Sequence, residues 1–252
     1  MHVNSGYKNT FQKNKMLIIN CDMGEGLDND EALMPYIDAA NIACGYHAGN
    51  IETIKKTIAL AQKNKVQIGA HISYADKENF GRKEMQLPKE VVYDIVAEQL
   101  LLFSNIAKQM GQAVAHVKPH GALYNQAAKD IELATTIATA VFDQMPNAVY
   151  YGLSGSIMLE AAKSIGLSTA HEVFADRAYL KDGSLASRNI EGAVFTKEDS
   201  VEAQVSLILQ EKKINTMDGV VIDVAADTIC IHADTPNAYA FAKTIYHLVK
   251  TT

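Results

Sequence analysis

Short apolar runs alternate with longer amphipathic segments along almost the whole chain, and this pattern constrains the fold more than any other feature. Between the runs, apolar residues recur at helical spacing, as at Ile51, Ile54 and Ile58, which follow a potential helix-capping Asn50. The strand-length runs lie at 16–21, 39–44, 66–70, 113–117, 148–151, 167–173, 194–195, 220–224 and 228–231. Strands that alternate with helices predict βα units and a parallel sheet.

Helix-start and helix-stop signals flank the amphipathic segments. Pro88 and Gly111 stand at the start and the end of the longest segment, as is typical of a first helical turn and of a C-terminal cap. Ser154 and Thr196 are predicted N-terminal caps, and Pro236 opens the last predicted helix. A further helix is predicted over 131–145. These signals complete the alternation of strands and helices.

Seven or eight βα units fill the chain without a composition break, a low-complexity linker or a fixed-period repeat. The length of 252 residues matches that of a single eight-fold β/α barrel, about 250 residues. We therefore predict an α/β fold with one domain over 16–252, a TIM-like barrel of seven or eight strands. A barrel fits better than an open doubly wound sheet, although periodicity alone does not distinguish them. Residues 1–15 are polar and are predicted to form a tail outside the barrel.

Charge and cysteine content exclude several classes of protein. There are 23 basic and 29 acidic residues, a formal charge of −6, which argues against a nucleic-acid partner because phosphate binding needs clustered Lys and Arg. No apolar run reaches the 18 residues that would predict a membrane span, and 1–15 lacks the apolar core of a signal peptide. Cys21, Cys44 and Cys230 form no Cys-x-x-Cys pair. They predict buried, reduced thiols in a cytoplasmic protein.

Ionisable and polar residues recur just after the predicted strands. They are Asn20, Asp22 and Glu25 after the first, His47 after the second, His71 after the third, Lys118 and His120 after the fourth, Glu172, Asp176 and Arg177 after a later one, and His232 and Asp234 after the last. In a β/α barrel the carboxyl ends of all strands meet at one mouth, where the active site is built. We therefore expect these six groups to converge on one site.

Several of these residues also have a purely structural interpretation. A single histidine at a strand end is more often structural than catalytic, so it is the coincidence of six strand ends that favours a functional site. Asp22 and Asp176 are equally well placed to cap the helices that follow them. Arg82 is equally suited to a surface ion pair. His116 lies inside a strand and is predicted to pack in the interior.

Eight stretches, in this order, match one known family. They are NCDMGEG (20–26), LMPYIDAANIACGYHAGN (33–50), GAHISYAD (69–76), FGRK (80–83), HVKPHGALYN (116–125), EVFADRAY (172–179), Arg188 with Gly192–Ala193, and DTICIHADTPNA (227–238). On these residues the chain resembles the LamB/YcsF family of lactam-utilisation proteins, the A subunits of 5-oxoprolinase. Family members usually have proline at the places of Ile72 and Ala75, glycine at that of Ala233 and a second arginine at that of Lys83. The ionisable positions near these departures are kept.

The resemblance implies a barrel similar to that of glycoside hydrolases and carbohydrate deacetylases. It also implies ATP-dependent opening of the lactam 5-oxo-L-proline to L-glutamate, together with partner subunits B and C. Strand-end position within the matched motifs suggests that Asp22 and His120 are the acid/base pair, with Glu172 or Asp176 orienting a histidine. The expected catalytic residues are Asp22, His47, His71, Lys118, His120, Glu172 and Asp176. The expected substrate-binding residues are Asn20, Glu25, Tyr74, Arg82, Asn125, Arg177, His232 and Asp234.

The implied reaction sets chemical requirements. A lactam is a stable amide, and ATP, the implied co-substrate, would activate it by phosphorylating its carbonyl oxygen. Opening then needs a base to activate water, an acid to protonate the ring nitrogen and donors that hold developing negative charge. The sequence has no GxxxxGK[ST] loop, and the Gly24 to Gly26 segment lacks the third glycine of a dinucleotide fingerprint. ATP is therefore expected either on the partner subunits or at the barrel mouth.

Two other functions stay open at this point. One is a stand-alone metal-dependent amidohydrolase, in the manner of carbohydrate deacetylases. Asp22, His47, His71 and His120 suit Zn²⁺ or Mn²⁺ by residue type, although their spacing neither supports nor excludes a divalent metal. The other is a non-catalytic module that binds a lactam or a sugar. A homo-oligomer is compatible with all of these functions.

Overall fold

The alternating pattern folds into a closed barrel of seven parallel strands, which confirms the predicted fold class. The structure, a computed structural model, describes residues 16–251, and the predicted tail over 1–15 lies outside the described residues. The barrel strands are β1 (Ile18–Met23), β2 (Ala39–Ala43), β3 (Gln67–Ile72), β4 (Val114–Pro119), β5 (Val149–Leu153), β6 (Thr169–Phe174) and β9 (Thr228–His232). Neighbours in this order pair in parallel, and β9 closes the barrel by pairing with both β6 and β1.

Helices surround the barrel. They are α1 (Asp30–Leu33), a 3₁₀ turn (Met34–Tyr36), α2 (Ile51–Asn64), α3 (Lys89–Gln109), α4 (Gly121–Ala127), α5 (Ile131–Gln144), α6 (Ile157–Ile165), α7 (Glu198–Glu211) and α8 (Ala238–Thr251). The predicted cap of α2 is confirmed, because Asn50 Oδ1 accepts a hydrogen bond from the backbone N–H of Thr53 at 3.0 Å. Ile54, Ile58 and Ala61 then bury one face of this helix, as their spacing predicts.

One predicted strand lies outside the barrel. β8 (Val221–Asp223) pairs antiparallel with β7 (Lys213–Asn215), a strand that the sequence analysis did not predict. The two form a hairpin through a turn in which Thr216 N donates to Val220 O. The predicted strand at 194–195 is wrong, because Val194 makes only an isolated bridge with Arg177.

Three predicted helix starts are wrong by short distances. α8 begins at Ala238 rather than at Pro236. α6 begins at Ile157 rather than after Ser154, whose hydroxyl oxygen instead accepts a hydrogen bond from the backbone of Ala225. α7 begins at Glu198 after Lys197, so Thr196 is not its cap. The short α1, the 3₁₀ turn and α4 carry too few apolar positions to show helical periodicity, and they were not predicted.

The barrel strands extend further towards their C-terminal ends than their apolar runs. β1 includes Asp22, and β4 includes Lys118, although both residues were predicted to follow the strands. The reason is that this end of the barrel interior accommodates polar side chains, so hydrophobicity does not mark where the strands end. Asp22 and Lys118 consequently lie on the strands themselves, which fixes them more rigidly than loops would.

The structure also bears on the cysteines and on the absence of a predicted membrane span. Cys21, Cys44 and Cys230 are all buried and free, as predicted. Among residues 16–251, no helix combines the length and the apolar character that a membrane crossing requires.

Candidate active site

A cavity of about 650 Å³ opens at the C-terminal ends of the barrel strands. Its floor and walls combine predicted site residues with loop residues. The predicted residues among its lining are Asp22, His71, Arg82, Lys118, His120, Asn125, Arg177 and His232. They come from five different strands or the loops after them, so the predicted convergence of strand ends on one mouth is observed for these side chains.

Asp22 is the centre of the cavity floor. Its Oδ1 accepts hydrogen bonds from Lys118 Nζ at 2.8 Å and from Asn41 Nδ2 at 2.7 Å. Its Oδ2 lies 3.2 Å from His71 Nε2. Burial raises the pKa of this carboxyl, but His71 and Lys118 outweigh burial and hold the pKa well below its usual value. Asp22 is therefore a carboxylate at neutral pH.

Lys118 is the permanent cation beneath Asp22. Burial lowers the pKa of its ammonium group. Asp22, Cys230 and Glu172 raise this pKa by more than burial lowers it, so that the net pKa lies well above its usual value. Its Nζ donates hydrogen bonds to Asp22 Oδ1 and, at 3.1 Å, to Cys230 Sγ, and it forms an ion pair with Glu172 Oε1 at 3.0 Å. Lys118 therefore compensates the charge of the two carboxylates.

A hydrogen-bonded network continues from Asp22 into the barrel interior. Asn41 Nδ2 also donates to Asn20 Oδ1 at 2.7 Å, and Asn20 Nδ2 donates to Thr228 Oγ1 at 2.7 Å. His116 Nε2 donates to Asn41 Oδ1 at 2.7 Å. Barrel interiors are usually filled with Val, Ile and Leu, so this polar interior is unusual. As a consequence, the hydrogen-bonded side chains of Asn41 and Asn20 in the barrel interior fix the orientation of Asp22.

His116 takes its place in this network because its neighbour on β3 has no side chain. A Cβ atom on Gly69 would lie 2.2 Å from His116 Nε2, which is closer than any real contact. The His116 ring instead stacks on Tyr151, with centroids 4.3 Å apart. The prediction that His116 packs in the interior is confirmed, and the structure adds its hydrogen bond to Asn41.

His71 and His120 form a directed pair at the cavity wall. His71 Nδ1 donates to Lys118 O at 3.0 Å, and His120 Nε2 donates to Phe80 O at 3.0 Å. His120 Nδ1 lies 2.9 Å from His71 Nε2 and accepts its proton. The network thus assigns protons to both nitrogens of His71, with the Nε2 proton between Asp22 and His120. Burial, followed by His47 and His71, holds the pKa of His120 well below its usual value, so His120 is neutral.

Two glycines allow the loop after β3 to pack against His120. Gly121 has a φ of +55°, and a Cβ atom there would lie 2.4 Å from Gly81 O. A Cβ atom on Gly81 would lie 2.9 Å from the Cβ of His47. This close approach lets Phe80 O reach the His120 ring and holds Arg82 over the Phe80 ring, 4.7 Å from its centroid.

His47 and Glu25 stand behind His120. The His47 ring stacks on the His120 ring with centroids 3.9 Å apart, and His47 Nε2 lies 3.3 Å from Glu25 Oε1. Burial, followed by His71, holds the pKa of His47 well below its usual value. Burial, followed by Asp22 and Asp234, raises the pKa of Glu25 well above its usual value. The group therefore combines neutral imidazoles with a carboxyl group that retains its proton easily.

These side chains bring metal-binding atoms close together. One atom from each of Glu25, His47, His71 and His120 lies within 4.8 Å of the others, and all four residues are buried. His47 Nδ1 is buried without a hydrogen-bond partner among the described residues. Zn²⁺ and Mn²⁺ accept imidazole nitrogens and a carboxylate as ligands, so a metal ion here would have to displace the proton on His71 Nε2 and any proton on Glu25. Asp22 belongs to a different group, with Cys230 and His232, so the structure divides the ligand set expected from the sequence.

His232 approaches Asp22 from the opposite side. Its Nδ1 donates to Asp176 Oδ1 at 2.9 Å, and Asp176 Oδ2 also accepts a hydrogen bond from Thr235 Oγ1 at 2.6 Å. The other ring nitrogen, Nε2, lies 3.9 Å from Asp22 Oδ2. Asp176 therefore orients a histidine, which is one of the two arrangements that the sequence analysis considered. Glu172 pairs with Lys118 instead.

The arginines at the mouth fall into two kinds. Arg82 and Arg188 both pair with Asp234 Oδ2, the second at 3.7 Å. Arg177 is buried, and its guanidinium donates to Ala186 O at 2.6 Å and to Ala193 O at 3.4 Å. Burial lowers the pKa of Arg177 to about 10. Arg177 thus holds the loop between β6 and α7 in shape, whereas Arg82 and Arg188 retain donors towards the cavity.

Seven predicted site residues lie behind the cavity lining. Glu25 and His47 back onto His120, and Glu172, Asp176 and Asp234 pair with Lys118, His232 and the arginines respectively. Asn20 belongs to the interior network. Tyr74 is buried, and burial raises the pKa of its hydroxyl to about 12.

The sequence analysis missed three groups that shape this site. Asn41 lies within the matched stretch 33–50 but was not singled out, because an asparagine inside an apolar run carries no catalytic signal. Tyr124 and Phe174 line the cavity, and the Phe174 ring stacks on that of His232. Arg188 belongs to one of the matched stretches but was not assigned to the site. It lies in the loop between β6 and α7, where no strand end marked it.

Comparisons with known proteins agree over nearly the whole chain. The LamB/YcsF family profile matches residues 17–252. A protein of Shouchella clausii (strain KSM-K16), described as the A subunit of 5-oxoprolinase, is 46% identical over 230 residues, which is 89% of this chain and 91% of that protein. The crystal structure of a lactam utilization protein from Thermus thermophilus aligns with a TM-score of 0.87 at 36% identity, covering 94% of this chain and 96% of that one.

Proposed function

Because the chain belongs to the LamB/YcsF family, we propose that it is the A subunit of an ATP-dependent 5-oxoprolinase, a hydrolase that opens the lactam ring of 5-oxo-L-proline to give L-glutamate. The similarity to the Shouchella clausii protein, which carries the name of that same subunit, spans nearly the full length of both chains. The lactam utilization protein from Thermus thermophilus shares the fold. These relatives support action on a cyclic amide.

The observation that carries the proposal is the arrangement of Asp22 between two histidine systems on the cavity floor. On one side, His71 Nε2 lies 3.2 Å from Asp22 Oδ2 and 2.9 Å from His120 Nδ1. On the other side, His232 Nε2 lies 3.9 Å from the same oxygen. One carboxylate thus faces the proton-bearing Nε2 of His71 and the Nε2 of His232, which carries a lone pair in the neutral form of the ring. Amide opening needs both an acid and a base.

These side chains have defined roles in the proposed reaction. His232, whose Nδ1 proton is bonded to Asp176, accepts a proton from the attacking water at Nε2. The Nε2 proton of His71, shared between Asp22 and His120, is the source of the proton for the departing ring nitrogen. Lys118 keeps Asp22 ionised throughout. The carbonyl carbon gains the oxygen of water, the carbon–nitrogen bond breaks, and the nitrogen leaves as an amine.

The use of ATP and of subunits B and C is a further part of this proposal. ATP transfers its terminal phosphoryl group to the lactam oxygen, which makes the ring carbonyl carbon more electrophilic. After water adds and the carbon–nitrogen bond breaks, the product is an acyl phosphate, and a second water hydrolyses it to the carboxylate and inorganic phosphate. The chain carries no recognised phosphate-binding loop, so the proposal places nucleotide binding mainly on the partner subunits. The Shouchella clausii protein is named as one subunit of an enzyme, which supports assembly with other chains. A cytoplasmic location is also proposed, consistent with three buried free cysteines.

Reconstitution with the partner subunits tests this proposal. We expect glutamate release only when ATP, 5-oxo-L-proline and all three subunits are present. Asp22→Asn should lower kcat about 100-fold or more, because the isosteric amide cannot hold the His71 proton. Asp28→Asn, at an exposed position after the same strand, is the matched control and should retain full activity. Near-normal turnover by a folded Asp22→Asn protein would contradict the assigned role.

The grouping of Glu25, His47, His71 and His120 favours a second candidate, a metal-dependent amidohydrolase that acts alone. A bound divalent ion would supply Lewis-acid polarisation of the carbonyl oxygen. Binding would require His47 and His120 to turn from their stacked arrangement, since parallel rings do not direct their nitrogens to one point.

Metal analysis distinguishes the two candidates. The second candidate requires a stoichiometric metal in the purified chain, loss of that metal in His47→Ala, and amide hydrolysis without ATP or partners. The first requires ATP-dependent turnover that survives chelation of Zn²⁺ and Mn²⁺ when Mg²⁺ is supplied with ATP. Binding of 5-oxo-L-proline without turnover under either condition would identify a binding module instead.

A further inference from the structure

Two arginines at the cavity mouth share one acidic partner. Arg82 and Arg188 both contact one oxygen, Oδ2 of Asp234. Within this group of three, two guanidinium charges face one carboxylate charge. Most of the guanidinium N–H donors are not used by Asp234, because each guanidinium carries five donors and Asp234 offers one oxygen to both.

The three residues come from separate parts of the chain. Arg82 follows β3, Arg188 lies between β6 and α7, and Asp234 follows β9. Their contact therefore bridges the mouth rather than stabilising any one helix or strand. The side chains of Arg82, Arg188 and Asp234 are 34%, 25% and 20% exposed, so they are partly desolvated yet accessible from the cavity. Ion pairs in this setting are stronger than those at a fully exposed surface.

Other cations of the cavity are already committed or unsuited. Lys118 donates hydrogen bonds to Asp22 and Cys230 and is ion-paired with Glu172. Arg177 directs its guanidinium to two backbone carbonyls. Lys129 lines the cavity but is exposed, and an ammonium group is a point charge without the planar fork that matches a carboxylate. Arg82 and Arg188 are the two cations that combine accessibility with that fork.

The position of Arg82 ties this pair to the reacting groups. Its Cγ packs beside Gly121, the residue that follows His120, and its guanidinium stacks on Phe80, whose carbonyl oxygen accepts a hydrogen bond from His120. A small ring held at Arg82 by a carboxylate substituent would therefore lie against His120 and His71. Asp234, whose Oδ2 contacts both arginines, holds the two guanidinium groups near each other.

We propose that Arg82 and Arg188 form the subsite that recognises the carboxylate of a cyclic-amide acid, with Asp234 as the residue that positions both guanidinium groups. This inference rests on the proposed function and adds its specificity: the substrate is a lactam that carries an acid group beside the ring nitrogen. A lactam without that group lacks the anion that pairs with the two guanidinium groups. The subsite thus selects for the acid before any chemistry occurs.

Calorimetric titration with two ligands tests the subsite. The ligands are 5-oxo-L-proline and 2-pyrrolidinone, the same ring without the carboxylate, each titrated into the chain alone and into the reconstituted complex. Arg188→Gln should raise the Kd of 5-oxo-L-proline about 10- to 100-fold, because charge-assisted hydrogen bonds are lost. The Kd of 2-pyrrolidinone should not change. Arg188→Lys should recover part of the affinity, and Lys129→Gln, the matched control, should leave both values unchanged.

The possible outcomes separate this inference from the proposed function. The subsite is overturned if Arg188→Gln weakens the binding of both ligands equally or of neither. It is also overturned if Lys129→Gln has an equal effect, or if the wild-type protein binds neither ligand. Normal glutamate release by Arg188→Gln with an unchanged KM also overturns it and leaves the function intact. Selective binding of the acid without any glutamate release in the complete complex supports the subsite and contradicts the function. Thermal unfolding of each variant confirms that it is folded.

Discussion

Asp176 and His232 are joined by a hydrogen bond of 2.9 Å that leaves the far nitrogen of the imidazole ring 3.9 Å from Asp22. The acceptor fixes which nitrogen carries the proton. His232 Nδ1 must be protonated to donate to a carboxylate, so the neutral form of the ring presents its lone pair at Nε2, towards the cavity floor. The ring is also held flat against Phe174, with centroids 5.5 Å apart. Orientation and tautomer are therefore both set before substrate binds.

Asp176→Asn should reduce turnover while leaving the fold intact. An asparagine can offer its amide N–H to His232 Nδ1, which moves the ring proton to Nε2 and removes the lone pair from the cavity. We expect kcat to fall about 10- to 100-fold or more, measured as glutamate release by the reconstituted complex. Thr235→Val removes another hydrogen bond to Asp176 without changing the tautomer, and it should have a smaller effect. Equal losses in the two variants would contradict this explanation.

The same carboxyl group predicts a pH dependence of stability. Burial raises the pKa of Asp176, but His232 and Thr235 outweigh it, and the net pKa falls from 3.8 to about 2. A folded-state pKa below the unfolded value contributes stability above about pH 4, and this contribution is lost as the pH falls towards 2.

Urea unfolding between pH 5 and pH 2 should detect this loss. The difference in unfolding free energy between wild type and Asp176→Asn should shrink by roughly 2 kcal/mol over this range. The control is Glu78→Gln, at an exposed position, whose difference from wild type should stay constant. A pH-independent difference for Asp176→Asn would show that its carboxylate charge does not stabilise the fold.

Lys118→Met should destabilise the protein strongly. The substitution leaves Asp22 and Glu172 buried without their shared cation, and removal of one partner from a buried ion pair costs about 3–5 kcal/mol. Combining it with Glu172→Gln should recover part of the loss, because one uncompensated charge disappears. Equilibrium urea denaturation measures both values. Lys129→Met, at an exposed position of the same cavity, should change stability little, and a comparable loss there would argue against the role of charge compensation.

Because Gly69 on β3 lies against His116 on β4, the effect of Gly69→Ala on stability should depend on whether His116 is present. Gly69→Ala places a methyl group 2.2 Å from His116 Nε2 and should cost about 1–3 kcal/mol. In a His116→Ala background the space is free, and alanine is favoured over glycine in a strand by roughly 0.5–1 kcal/mol. Gly69→Ala should then be neutral or stabilising. Denaturation of the four proteins of this cycle measures the coupling, and additive effects would contradict the predicted clash.

The sequence predicted where the chemistry lies better than how its parts contact one another. Asp22, His71 and Lys118 could be found because strand ends in a β/α barrel share one mouth, whatever the details of pairing. The partnership of Glu172 with Lys118 could not, because it depends on the stagger between β4 and β6 on either side of β5. The stacking of His47 on His120 likewise depends on how two loops meet through Gly81 and Gly121.

Loop residues were the hardest to assign. Arg188 lies in the segment between β6 and α7, whose shape comes from the hydrogen bonds of Arg177 to Ala186 and Ala193. Local periodicity carries no information about such contacts, since they join backbone to side chain across many residues. The early start predicted for α6 has a similar cause, because Ser154 serves as an acceptor for Ala225 instead of a cap.

The amides and the hydroxyl in the barrel interior connect the scaffold to the Asp22 carboxylate through hydrogen bonds. Thr228, Asn20 and Asn41 form a chain that ends on Asp22, so a change near the closed end of the barrel is transmitted to the cavity floor. In barrels with aliphatic interiors, larger apolar side chains can add stability without touching the chemistry. Here an apolar substitution in the interior would break the hydrogen bonds that orient the Asp22 carboxylate. Any gain in stability would therefore be accompanied by a loss of turnover.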